Sequence, residues 1–209
     1  MSIRKRQAGL GAAATLGWPV VMSQALMTNF YVPLGVLTAS LALATAWAFR
    51  DRLGSWFRIT PRVLGIGVAA GLLQALLTHV GYGMLAPVFP ALRAEVVGLY
   101  QLMATGLGPM RALPIILLAV AVEEVIWRGV LVEPNDARGG ALLRATASTL
   151  LYTAAQTGTG SWALALTAFV CGWAWWAIRH FTRSLTPAIV MHVLWSLIVL
   201  VFVPLEPLP

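Results

Sequence analysis

The sequence predicts an all-α, polytopic integral membrane protein of about seven transmembrane helices, with the N-terminus inside and the C-terminus outside. Three observations carry that expectation: the composition, the lengths of the apolar runs, and the placement of the arginines. Of 209 residues, 59% are hydrophobic and only 10% are charged, with a mean hydropathy of +0.83. A soluble domain averages about 45–50% apolar and about 25% charged residues. A lone cysteine, Cys171, rules out an intrachain disulfide. The formal charge of +7 would suit nucleic acid if its arginines were gathered on one soluble face, but they fall instead at helix ends.

Seven segments approach the roughly 20 apolar residues that a spanning helix needs. The first, residues 7–28, follows the basic start Arg4, Lys5 and Arg6. No Ala-x-Ala site leads from it into a soluble domain, so a retained anchor is expected rather than a cleaved signal. Residues 33–49 form the second. The stretch 51–62, DRLGSWFRITPR, mixes arginine with aromatic and aliphatic residues, which suits either a helix lying flat at the interface or an aromatic-anchored loop. Residues 63–86 form the third segment. Gly11, Gly17, Gly65, Gly67 and Gly71 are expected to admit close helix packing. Residues 87–110 make the one sizeable outer loop, with a short amphipathic helix expected over 91–104. The fourth to seventh segments are 111–132, 141–156, 162–178 and 185–203, the fifth ended by the Gly/Thr run 157–161. The chain thus reads as one membrane domain in two parts, 1–110 and 111–209.

The arginines orient this scheme. With the N-terminus inside, Arg4, Lys5, Arg6, Arg50, Arg52, Arg58, Arg62, Arg138, Arg144, Arg179 and Arg183 gather on the inner side, eleven of the 14 basic residues. This is the positive-inside pattern. The basic balance is therefore an orientation signal, and the expected partners are the lipid bilayer and apolar polypeptide, not nucleic acid.

Against this background the run AVAVEEVIWRGVLV is anomalous, because each ionised group near a bilayer centre costs about 2.5–3.5 kcal/mol on insertion scales. Glu124 and Arg128 are spaced i,i+4 and can pair on one helix face. Glu123 lies about 100° round the helix, which leaves it available to a polar cavity. Two further i,i+4 pairs are His192 with Ser196 and Tyr152 with Gln156. At about 1.5 Å per residue, Glu123 lies roughly 18 Å from the outer end of its helix and His192 roughly 10 Å from the inner end of its own. One shared site in the inner half of the membrane is feasible. A structural ion-pair cluster joining helices is the alternative that the spacing leaves open.

Glu123-Glu124-x-x-x-Arg128-Gly129 resembles the EExxxR motif of the CPBP intramembrane proteases, the CAAX-processing and bacteriocin-protection (Abi) group. Gly172 and the run from Thr182 to His192 resemble that family's last conserved block, so the resemblance covers about residues 113–200 and makes 111–209 the catalytic half. It implies a glutamate-dependent endopeptidase that cuts near the C-terminus of membrane-anchored proteins or peptides. It casts Glu123, Glu124, Arg128 and His192 as catalytic, and Gln156, Ser196 and Tyr152 as water or oxyanion partners. The setting would be a prokaryotic cytoplasmic membrane.

Two positions depart from the family pattern. Gln156 stands where the second motif has histidine, and Ser196 where the third has asparagine. Gln156 can orient a water but cannot accept its proton. No cofactor is expected, and a metal is disfavoured because Gln156 removes a ligand; Glu123 and His192 would remain. Two other readings stand beside the peptidase: an impaired relative acting as a membrane scaffold or immunity-type binding protein, and a small transporter, against which the absence of repeats counts.

Overall fold

The computed structural model describes residues 2–25, 29–132 and 140–207. Thr28, the end of the first predicted segment, and Arg138, one of the inner arginines, lie outside the described residues. All regular structure among the described residues is helical. In chain order the α-helices are α1 (Ile3–Ala25), α2 (Tyr31–Trp56), α3 (Pro61–Leu85), α4 (Pro90–Ala104), the single turn α5 (Gly108–Arg111), α6 (Leu113–Glu124), α7 (Gly140–Gln156), α8 (Trp162–Thr182) and α9 (Thr186–Leu197). Two of them continue as wider π-helical turns: α6 into Val125–Val130 and α9 into Ile198–Phe202.

Each of the seven predicted segments corresponds to one helix, with the 12-residue α6 and α9 continued by their π-helical turns, and α4 takes the place of the short helix expected in the loop. Among the described residues two helices, α2 and α3, are long and apolar enough to cross a membrane on those grounds alone, with mean hydropathy of 1.7 and 1.8. The exposed face of α3 carries Leu72, Leu73, Leu76, Leu77 and Val80. An apolar stripe of this length suits lipid better than water.

Three boundaries differ from expectation for local reasons. α2 starts at Tyr31, whose backbone N–H is accepted by the Asn29 side chain at 3.0 Å, so the connector before it is shorter than predicted. The same helix runs past Phe49 to Trp56 with a kink at Phe49 (φ −125°, ψ 18°). The stretch 51–62 is therefore the last turns of α2, a four-residue strap over 57–60 and the start of α3. That strap is stitched to the turn before α9: Leu185 N–H donates to the Trp56 carbonyl at 2.8 Å, and Arg58 N–H donates to Ser184 Oγ at 3.0 Å. Residues 108–111 form a turn of their own, and α6 begins at Leu113 after it.

The two halves interlock, with α1 on α7, α2 on α6 and α3 along α9. The glycines of α3 explain the last contact. A Cβ at Gly67 would stand 2.8 Å from Val190 Cβ and 2.9 Å from the Pro187 carbonyl oxygen; one at Gly71 would stand 3.0 Å from both Leu194 Cβ and the Met191 carbonyl oxygen. Backbone meets backbone here, which only glycine permits. Gly11 and Gly17 serve similar contacts, with Leu131 and Leu37. Gly65 does not: nothing lies within 4 Å of a Cβ built there, because it faces away from α9.

Candidate active site

The buried ionisable groups meet where α6, α7, α8 and α9 converge. Glu123 and Glu124 close α6, and the π-helical turn that follows carries Arg128. In that turn Leu131 N–H reaches back five residues to the Ile126 carbonyl at 3.0 Å. Such turns are often found at functional sites, since the extra residue re-aims the side chains beside it. Ser148 of α7 donates to the Trp127 carbonyl at 2.5 Å, which ties α7 to the turn.

The two acids occupy different environments. Glu124 is fully buried and accepts from Arg128 Nη1 at 3.1 Å, the predicted i,i+4 pair. The same oxygen, Oε1, lies 3.0 Å from His192 Nδ1, so a carboxylate there fixes the proton on that ring nitrogen and turns Nε2 away from it. Glu123 accepts from Gln156 Nε2 on Oε1 at 2.9 Å and from the Tyr152 hydroxyl on Oε2 at 3.1 Å. His192 Nε2 stands 3.8 Å from Glu123 Oε2, too far for a direct hydrogen bond and close enough for both to touch one small molecule.

Glu123, Tyr152, Gln156, His192 and Ser196 all line a cavity of about 320 Å³. Glu124 and Arg128 sit behind its wall. The rest of the lining is mostly apolar, with Leu34, Met103, Ile116, Leu164 and Leu200 among it. The geometry thus brings together every residue that the sequence singled out, in two layers: Glu123 with its donors facing space, and Glu124 with Arg128 holding His192 from behind.

An aromatic wall completes the site. Trp175 of α8 stacks on His192 with centroids 3.5 Å apart and planes at 16°. The Arg128 guanidinium lies 4.5 Å from the centroid of Tyr152 and 5.0 Å from that of Trp175, where ring faces attract a cation. Its Nη2 has no hydrogen-bond acceptor among the described residues, so these faces are its principal partners on that side. Gly172 makes the room, since a Cβ there would sit 2.8 Å from Nη2. Trp175 Nε1 donates to Gln74 of α3 at 3.0 Å, and Trp195 Nε1 donates to Thr78 at 2.9 Å.

Sequence reading did not single out Trp175 or Gln74. A glutamine in the middle of an apolar helix must find a partner within the bundle, and that rule, applied to α3, points at Gln74. Nothing comparable separates Trp175 from Trp173 and Trp176 in the run WAWW. His79 and His180 are remote from the site: His79 lies between the carbonyls of Ala75 and Val203, and His180 stacks on Trp176. Among the described residues no group of three or more His, Cys, Asp or Glu is arranged to hold a metal ion.

Residues 105–198 match the family model described as type II CAAX prenyl endopeptidase Rce1-like. That stretch, a little under half of the chain, is similar to the Rce1-like family. The match starts before α6 and ends just after α9, so it encloses Glu123, Glu124, Arg128, Tyr152, Gln156, His192 and Ser196. The family is one of membrane proteases, in keeping with the apolar helices of this fold. No curated protein and no solved structure gave a match.

Proposed function

We propose that this Rce1-like protein is an intramembrane endopeptidase that hydrolyses a peptide bond near the C-terminus of an apolar or lipid-anchored polypeptide. The observation that carries the reading is the placement of Glu123, which faces the cavity between two hydrogen-bond donors and opposite His192. A water beside Glu123 gives it a proton and attacks the carbonyl carbon, forming the tetrahedral oxyanion. A carboxylate removed from bulk water is the stronger base for this step. The C–N bond then breaks as Glu123 passes the proton to the leaving amine, so the carboxylate is regenerated.

The surrounding groups take supporting roles in this reading. Tyr152 and Gln156 orient the base. His192 presents Nε2 to the cavity and donates once its ring holds a second proton, whereas the Ser196 hydroxyl donates in any protonation state. A donor to a developing oxyanion is worth about 3–4 kcal/mol. Glu124 and Arg128 hold His192 in place. We assign no metal step, since zinc sites take three or four His, Cys or carboxylate ligands and, among the described residues, only Glu123 and His192 of that type face this cavity. The proposed setting is a prokaryotic cytoplasmic membrane crossed seven times, by α1, α2, α3, α6, α7, α8 and α9 with their π-helical extensions.

Incubating the reconstituted protein with a panel of membrane peptides and mapping the products by mass tests this reading. Cleavage at one internal bond close to the C-terminus, abolished by Glu123→Ala, is the expected result. A native chain that cleaves nothing, beside a Gln156→His variant that does, would place it with the impaired relatives that act by binding.

A further inference from the structure

Helix α3 belongs to the N-terminal half, outside the stretch 105–198 that matches the family model, yet it reaches the active site. Gly71 sets its backbone against Met191 and Leu194, which bracket His192 on α9. About one turn further along α3, Gln74 accepts from Trp175 Nε1 at 3.0 Å, and after another turn Thr78 accepts from Trp195 Nε1 at 2.9 Å. Of the two tryptophans only Trp175 lies flat on His192, with centroids 3.5 Å apart and planes at 16°. Trp195 stands 6.3 Å from the imidazole at 54°.

His192 needs this face contact. Its contact with Glu124 is made at one ring edge, Nδ1, 3.0 Å from Oε1. An edge contact restrains the direction of the ring more than its tilt, and the torsion that joins a histidine ring to Cβ is broad. A flat neighbour at 3.5 Å blocks the tilt, so edge and face together fix where Nε2 points in the cavity. The indole has the same soft torsion, and its one polar edge is held by Gln74. An indole N–H only donates, so the carboxamide must present Oε1 to it. Gln74 Nε2 then finds no oxygen acceptor among the described residues and lies toward the Cys171 sulfur, one turn before Trp175 on α8. A buried amide with one end unmatched costs the fold more than an apolar side chain of that size would. Packing is thus a poor account of Gln74, and the tryptophan it holds is a better one.

We propose that Gln74 is a positioning residue for His192, acting through Trp175. The N-terminal half of the chain thereby sets the geometry of the histidine that faces Glu123. The inference rests on the peptidase reading for its effect on rate, and on geometry alone for its effect on the ring. The relay from Gln74 through Trp175 and His192 to Glu124 passes from α3 through α8 and α9 to α6, so the site is correct only when all four helices are in register.

The test has two arms, both on the full-length chain in nanodiscs. The chain has three histidines, so with ring-labelled histidine the His192 proton signals are assigned by their loss in His192→Ala. Stacking on an indole shifts them upfield, and Trp175→Leu gives their unstacked position. Gln74→Met keeps the length of the side chain and loses the acceptor; it should move them downfield toward that position. The second arm is turnover of one membrane peptide. Gln74→Met should lower kcat about tenfold with KM unchanged, within the roughly 10²-fold that a misplacement of about 1 Å can cost. Trp175→Phe, which keeps a ring and loses the N–H, should lower kcat as well. Adding Gln74→Met to Trp175→Phe should cost nothing further, because the two residues act as one unit. Unmoved His192 signals in Gln74→Met, a change confined to KM, native kcat in Trp175→Phe, or losses that multiply in the double variant would each overturn the proposal. A moved ring in a chain whose native form cleaves nothing would leave the positioning of His192 standing and remove the peptidase reading.

Discussion

Arg128 shows how one residue serves both fold and site. Its charge is compensated by Glu124 on one side and by the faces of Tyr152 and Trp175 on the other. Removing one partner of such a buried pair costs about 3–5 kcal/mol, because the other charge is left uncompensated. The arrangement depends on the missing side chain at position 172. Gly172→Ala places a methyl 2.8 Å from Nη2 and 3.1 Å from Thr149 Cγ2, and both neighbours are buried. It should destabilise the protein by about 1–3 kcal/mol, read as a shift in unfolding in mild detergent. The charged residues of this site were legible in the sequence because each is anomalous in an apolar run. Trp175 was not, because a tryptophan among tryptophans carries no mark of which one meets a histidine.

Helix contacts were legible in kind but not in detail. Small residues on α3 announced close packing, yet spacing alone could not say which glycines face α9. Gly67→Ala should lower stability by about 1–3 kcal/mol, since its Cβ meets backbone that cannot yield without separating the helices. Gly65→Ala, with open space around it, should raise stability by about 0.5–1 kcal/mol from helix propensity alone. Comparing the two by denaturant titration checks the assignment of faces. The kink at Phe49 and the two π-helical turns left no sequence signal, because no proline or glycine marks the kink and the wider turns answer to tertiary contacts.

The segment after α9 offers a pH test. Arg93, and after it Tyr82, hold the Glu206 carboxyl below its ordinary value of 4.5. A carboxyl lowered on folding contributes fully above the ordinary range and loses that contribution as pH falls through its folded value. The titratable and charged groups around it among the described residues are Arg93 and Tyr100 from α4 and Tyr82 and His79 from α3. Acidification below the ordinary glutamate range should therefore free residues 203–206. Hydrogen exchange at the Leu205 amide, corrected for its intrinsic rate, should rise there in the native chain; in Glu206→Gln it should be high and flat with pH.

At the scale of the whole molecule, composition and run length announced a helical membrane protein, and the arginines proposed its orientation. The cavity was not legible, because it arises where helices distant in sequence meet. The seven-span arrangement puts Ser55 and Gly98, both exposed, on opposite sides of the membrane. Single cysteines at these positions, in a Cys171→Ser background, should react with an impermeant reagent from opposite faces of oriented vesicles. Labelling of both from one face would contradict the arrangement. The central claim is that Glu123 is the base, and it is tested most directly by turnover of one membrane peptide by native and Glu123→Gln proteins of matched unfolding stability. The account predicts a loss of about 10²–10⁴-fold in rate, the usual worth of a general base. Glu123→Gln turning over at the native rate would contradict it.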